Sequence, residues 1–337
     1  MNAKILSVAK TSTIAIAAAC TITAAGCSDA QDSGSATAGS GLPSEITIDY
    51  ANWNPLSLIV HDKGLVEEEF KDDNVKVNWI VTQSGNKSME FLMSGSVDLA
   101  VSPGTSPLLS HVNGNPVTIV SYVSVQNFNL VTAPDSGINQ ISDLKGKRVS
   151  ATPGTCSYFY AVKSLSEAGI GLDEVTIVPL QAAEGYMEMA RGRVEAYSGG
   201  EPLQSIAEAE GLKIIPDNTN FSFPLVLCAR TEFLEKYPQA VNKIINAYEK
   251  ARQWGREHPD EFADLAARNI KMIPREAAEI MIKRLDLTKG EIDDAFRKAL
   301  SEQGVLLKQI GLIKEDVSLD KVIGELTDNS VLRDIQG

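Results

Sequence analysis

Histidine is scarce in this 337-residue chain: His61, His111 and His258 are the only three. No two of them stand at metal-ligand spacing, which argues against a zinc-type centre. Cysteine is scarce too. Of the four, only Cys156 and Cys228 lie beyond residue 27, too few for a disulfide framework. These two could pair in an oxidising compartment; two free thiols is the preferred reading. Cys156 falls at the start of a helix-like run, where a thiolate is favoured. With no partner base in view, it reads as a small polar lining residue rather than a nucleophile. There is no Gly-x-Ser-x-Gly turn and no Walker-type phosphate loop, so neither a hydrolase elbow nor ATP use is indicated. A Ser-His-Asp site assembled from distant residues is the catalytic alternative; the chain is read as a binder, not an enzyme.

Basic residues are also in deficit. Lys and Arg number 31 against 44 Asp and Glu, a formal charge of −13. Nothing basic is clustered, which argues against nucleic acid as a partner. Apolar runs long enough to span a membrane are missing. The run Ile14 to Ile22 is too short for a permanent span, but it follows Lys4 and Lys10 and so reads as a targeting segment. It ends in Ala24-Ala25-Gly26-Cys27. Ala17-Ala18-Ala19-Cys20 is a weaker competitor, because it leaves too short an apolar run. From Ser28 to Ser44 the chain is rich in Gly, Ser, Ala and Asp, a composition that buries no core and predicts a flexible tether.

What remains is a globular body, with 43% hydrophobic and 22% charged residues over the whole chain and length enough for two lobes. Strand-like and helix-like runs alternate from Glu45. Ile46 to Tyr50, Val75 to Val81 and Val97 to Val101 read as strands, each followed by a helix. Asn54 is a plausible N-cap ahead of Pro55, and Ser84-Gly85-Asn86 is a turn. Val117 to Val125 and Phe128 to Ala133 are two further strands. After a break at Pro134 to Gly137, strands are expected at Arg148 to Ala151, Val175 to Val178, Val194 to Tyr197 and Lys213 to Ile215. Beyond Thr231 the pattern is helical, with Val241, Ile244, Ile245 and Tyr248 on one stripe. Alternation of this kind implies largely parallel sheets, with ligands beyond the carboxyl ends of the strands.

One phrase occurs twice. Ser102-Pro103-Gly104-Thr105-Ser106 and Thr152-Pro153-Gly154-Thr155-Cys156 each join a strand-like run to a helix-like one. The first N–H groups of a helix have no partner within it, and the helix dipole draws negative charge there. Two such turns predict one small anion held between two lobes.

Small residues before Cys27 resemble the lipobox of bacterial lipoproteins. That resemblance implies acylation of Cys27 and a body anchored at the extracytoplasmic face of the bacterial cell membrane. Phe91 to Asp98, Ser142 to Val149, the Gly154-Thr155 turn and Asp49 to Pro55 resemble the solute-binding proteins of ABC importers. The nearest subgroup is that of the aliphatic sulfonate, taurine and nitrate binders.

The resemblance implies an α/β, two-lobed, type II periplasmic-binding-protein-like fold, with parallel-rich sheets flanked by helices and a helical C-terminal region. It places residues 45–132 and 229–337 in lobe 1, and 133–228 in lobe 2. It implies a site of Asn52, Trp53 and Asn54; Ser84, Gly85 and Asn86; and Gly104, Thr105 and Ser106. Thr155, Cys156, Ser157 and Tyr158 would face these from the other lobe. Neutral donors of this kind suit a sulfonate, which spreads one charge over three oxygens. Glu201 stands where relatives often show Asp, and Tyr197 where they often show Trp. Glu201 either meets the amine of a taurine-like zwitterion, or turns to solvent or caps the helix that Pro202 starts. The implied partners are a small sulfonate-like ligand, permease subunits with a separate ATPase, and the membrane through the lipid anchor. No cofactor is implied. Nitrate, bicarbonate or a thiamine precursor is the alternative ligand. An enzyme on the same fold, like the pyrimidine-forming enzyme of thiamine synthesis, is the remote alternative.

Overall fold

A computed structural model describes residues 41–337 except 52, 217–220, 272, 289, 329, 331 and 333–337. The expected signal segment, Cys27, residues 28–40 of the tether, and Asn52 lie outside the described residues. At the end of the expected tether, Leu42 packs against the core.

The first run of the chain is β1 (Glu45–Ala51), α1 (Pro55–Asp62), α2 (Leu65–Glu69), β2 (Lys76–Thr82), α3 (Gly85–Met93), β3 (Leu99–Pro103), α4 (Thr105–Val112) and β4 (Val117–Gln126). In β1 the alternation seen in the sequence buries Ile46 and Ile48 completely. The chain then makes a second sheet: β5 (Phe128–Thr132), β6 (Arg148–Ser150), α5 (Cys156–Glu167), β7 (Thr176–Val178), α6 (Ala182–Ala190), β8 (Ala196–Gly200), α7 (Leu203–Ala209) and β9 (Lys213–Ile214). It returns through β10 (Phe223–Arg230) and continues as α8 (Thr231–Lys236), α9 (Pro238–Glu257), α10 (Pro259–Asn269), α11 (Arg275–Arg284), α12 (Asp294–Gln309) and α13 (Leu319–Leu326).

Two five-stranded sheets result, ordered β2-β1-β3-β10-β4 and β7-β6-β8-β5-β9. Each is mixed rather than purely parallel: β10 runs antiparallel to β3 and β4, and β5 runs antiparallel to β8 and β9. The strands that cross between sheets explain this. β5 joins the second sheet, so the first crossing falls at Asn127 and not at 133 as expected. β10 joins the first sheet, so the return falls at Phe223 and not at 229. The apolar run Leu225 to Ala229 is a central strand, buried on both faces between β3 and β4.

The C-terminal helices pack on the first sheet, through β4 and β10. In α9, Val241, Ile244 and Tyr248 are fully buried as their spacing predicted, with Pro238 at the first turn. Ile245 lies at the edge of the stripe and is only part-buried. α11 packs on α10 on one side and on α7 of the second sheet on the other. Among the described residues, no helix is long and apolar enough to cross a membrane.

Candidate functional site

The twice-repeated phrase meets itself. Thr105 opens α4 and Cys156 opens α5, and Thr105 Oγ1 lies 3.7 Å from Cys156 Sγ. Only 3% of Thr105 and 8% of Cys156 is exposed, so the two turns close on one another. Gly104 alone separates β3 from α4, whereas residues 151–155 separate β6 from α5. Gly104 N donates to Pro224 O on β10 at 2.8 Å, fixing the α4 turn to the central strand. Gly154 supplies the left-handed backbone (φ 78°) that turns the chain into α5.

The other turns of the first sheet join this one. Ser84 caps α3 by accepting from Lys87 N, and Gly85 and Asn86 are the first residues of that helix rather than a free turn. Ser102 Oγ donates to Gly85 O, and Ser106 Oγ donates to Asn86 Oδ1 at 3.2 Å. A Cβ on Gly85 would stand 2.1 Å from Pro103 Cδ, so only glycine allows these two turns to touch. Asn54 Oδ1 accepts from Ser57 N, the cap that its place before Pro55 predicted, while its buried Nδ2 has no partner among the described residues.

In the second sheet, Thr155 Oγ1 donates to Thr152 O and meets Ser157 Oγ at 2.9 Å. Ser198 Oγ, in the middle of β8, donates to Ser157 O. Tyr158 is half-buried, edge-on to Phe159. Cys156 and Cys228 are both free and buried. Burial pushes the Cys156 thiol up to about 12, overriding the thiolate preference expected at a helix start.

A narrow cavity lies along β10, where Leu225 pairs with Pro103 of the α4 turn; no residue of the α4 or α5 turn itself lines it. Trp53, Pro55, Leu225, Met281 and Leu285 form its apolar wall. Gln126, Asn127, Glu201 and Arg284 supply its polar side. Its free interior is about 20 Å³, little more than one water. Trp53 Nε1 is buried without a hydrogen-bond partner among the described residues.

Glu201 is engaged within the protein. One carboxylate oxygen accepts from Arg284 and the other from Ser205 N at the start of α7. The capping alternative therefore describes its contacts, and Arg284 stands where an amine was envisaged. Arg284 Nη2 also donates to Glu208 at 2.6 Å. Arg284, Met281 and Leu285 had no local signal in the sequence, since they reach the cavity only through the packing of α11 on α7. Gln126 and Asn127 belong to a crossing placed a few residues too late.

A model of proteins described as NMT1/THI5 like matches residues 68–262, more than half of the chain. The chain belongs to the NMT1/THI5-like family. This family member is 27% identical over 285 residues to a putative aliphatic sulfonates-binding protein of Bacillus subtilis, covering 82% of this chain and 83% of that one. It shares its fold with the alkanesulfonate-binding protein SsuA of Xanthomonas axonopodis pv. citri bound to MOPS. That match has a TM-score of 0.73 and 17% identity, and covers 83% of this chain and 98% of the other. The aliphatic sulphonate binding protein SsuA of Escherichia coli is similar at a TM-score of 0.72 and 20% identity, with 83% and 91% covered.

Proposed function

We propose that this NMT1/THI5-like protein is the extracytoplasmic solute-binding component of an ABC importer. It captures a small organic sulfonate between its two sheets. The meeting of Thr105 and Cys156 carries this reading, because it joins two helix N-termini from separate sheets in one place. Neutral hydroxyls and helix N–H groups can grip three sulfonate oxygens without a counter-charge. The apolar wall of Trp53, Met281 and Leu285 suits the organic part of such a ligand. The names of the relatives agree with that chemistry.

Capture requires opening. The two turns are in contact and the cavity holds little more than a water, so a sulfonate enters only when the sheets separate. The crossing at Asn127, between β4 and β5, is the natural hinge. Cys27, once acylated, holds the body at the membrane, where the closed form is presented to permease subunits driven by a separate ATPase.

Thermal unfolding of residues 28–337 against taurine, alkanesulfonates, nitrate, sulfate and thiamine precursors tests the reading. A ligand at a hundred times its dissociation constant adds about 2.7 kcal/mol of stability. A raised midpoint with sulfonates is expected. A shift with nitrate or a thiamine precursor alone would keep the receptor and replace its ligand.

A further inference from the structure

The only carboxylate of β1 beyond its first residue, Asp49, is fully buried, in a strand otherwise built for a core. It bonds three other elements. Its Oδ2 accepts from Thr82 Oγ1 at the end of β2 (3.0 Å) and from Ser88 Oγ in α3 (2.8 Å). Its Oδ1 accepts from Val101 N in β3 at 2.9 Å. Ser88 also donates toward Thr82 Oγ1 and Ser84 O, so the network reaches the cap of α3. Val101 lies one residue before the Ser102 to Ser106 turn. One side chain thus ties together the strand ends and the helix that carry the Ser84 to Asn86 and Ser102 to Ser106 turns.

Burial of such a group is costly unless its hydrogen bonds are satisfied. A hydrocarbon at position 49 would leave the buried Val101 N–H and the Thr82 hydroxyl without their acceptor, so the carboxylate acts as a tie between strand ends and not as filler. Tyr248 from α9 and Cys228 from β10 are the titratable groups that feel its charge, and burial keeps both protonated at neutral pH. Burial likewise pushes the Asp49 carboxyl up to about 7, against the three hydrogen bonds that lower it.

We propose that Asp49 is a positioning residue for ligand capture: through Thr82, Ser88 and Val101 it sets the spacing of the α3 and α4 turns that grip the anion. It touches no ligand itself. The inference rests on the sulfonate-binding reading for its affinity arm but not for its structural arm.

The test compares Asp49→Asn, Thr82→Val and Thr82→Ser in the full chain, by titration with an alkanesulfonate and by amide exchange in the free protein. Asn keeps one acceptor and loses the other, so Asp49→Asn is expected to bind about tenfold more weakly. Thr82→Val keeps shape and loses the hydroxyl, and is expected to weaken binding several-fold. Thr82→Ser keeps the hydroxyl and is expected to bind like the parent, although it removes a methyl. Amides of Gly85, Asn86, Thr105 and Ser106 should exchange faster in Asp49→Asn and Thr82→Val without ligand. Equal loss of affinity in Thr82→Val and Thr82→Ser overturns the proposal, because packing alone would then matter. Unchanged exchange at the four amides in both hydroxyl-breaking variants also overturns it. If the parent binds no sulfonate, the functional reading fails, and the exchange arm still decides the role of Asp49.

Discussion

Thr105 Oγ1 and Cys156 Sγ lie 3.7 Å apart, on helices that serve two different sheets. Their meeting brings the starts of two helices together in one place. Neither side chain carries charge at neutral pH, since burial holds Cys156 as a thiol. An anion gripped here is gripped by dipoles and hydroxyls, which suits a ligand that must later be released.

The contact predicts a lock. Thr105→Cys places a second thiol against Cys156, within reach of a disulfide after a small local adjustment. The oxidised variant should stay closed and show no ligand-induced rise in melting temperature, and reductant should restore the rise. An oxidised variant that still responds like the parent would contradict closure at this contact.

Gly85 is the second point of sensitivity. Alanine normally favours a helix over glycine, yet here its methyl would meet Pro103 Cδ at 2.1 Å. Gly85→Ala should therefore destabilise the protein by about 1–3 kcal/mol, read as a lower urea midpoint. A stabilised variant would show that the two turns are not pressed together.

Arg284 joins α11 to α7 by pairing with Glu201 and Glu208. Arg284→Met leaves two carboxylates facing one another in partial burial. The expected loss is about 1–3 kcal/mol, below that of a fully buried pair because the side chains are partly wet. Adding Glu201→Gln and Glu208→Gln should recover much of it in urea unfolding. No recovery would mean that the guanidinium acts by packing.

Glu195 gives a pH signature. Hydrogen bonds from Arg148 hold its carboxyl down at about 2. A carboxylate lowered in the folded state stabilises the protein fully above its ordinary value of 4.5, and that contribution is lost as pH falls toward 2. Glu195→Gln should cost about 1–2 kcal/mol at pH 7, after allowance for solvent screening. The difference from the parent should vanish near pH 2. A pH-independent difference would rule out ionisation as its source.

Much of this was legible in the residues. Period-two and period-3.6 patterns placed β1 and α9, and Asn54 before Pro55 marked a helix start. The repeated Pro-Gly-Thr phrase pointed to the two turns that meet. What could not be read was long-range. Whether β5 and β10 belong to one sheet or the other depends on pairing partners far away in sequence, which local pattern does not encode. Arg284 reaches the cavity only because α11 leans on α7. Glu201 advertised itself as a ligand residue by its neighbours, while its carboxylate answers to an arginine 83 positions later. Asp49 left a faint mark, a charge inside an alternating strand, but its three partners lie on β2, α3 and β3.

The most direct measurement is a calorimetric titration of the parent and of Thr105→Asp with an alkanesulfonate. The parent should bind saturably at one site. Thr105→Asp puts a negative charge at the shared helix starts and should abolish that binding while the protein remains folded. Equal affinity in the two proteins would contradict capture between the α4 and α5 turns.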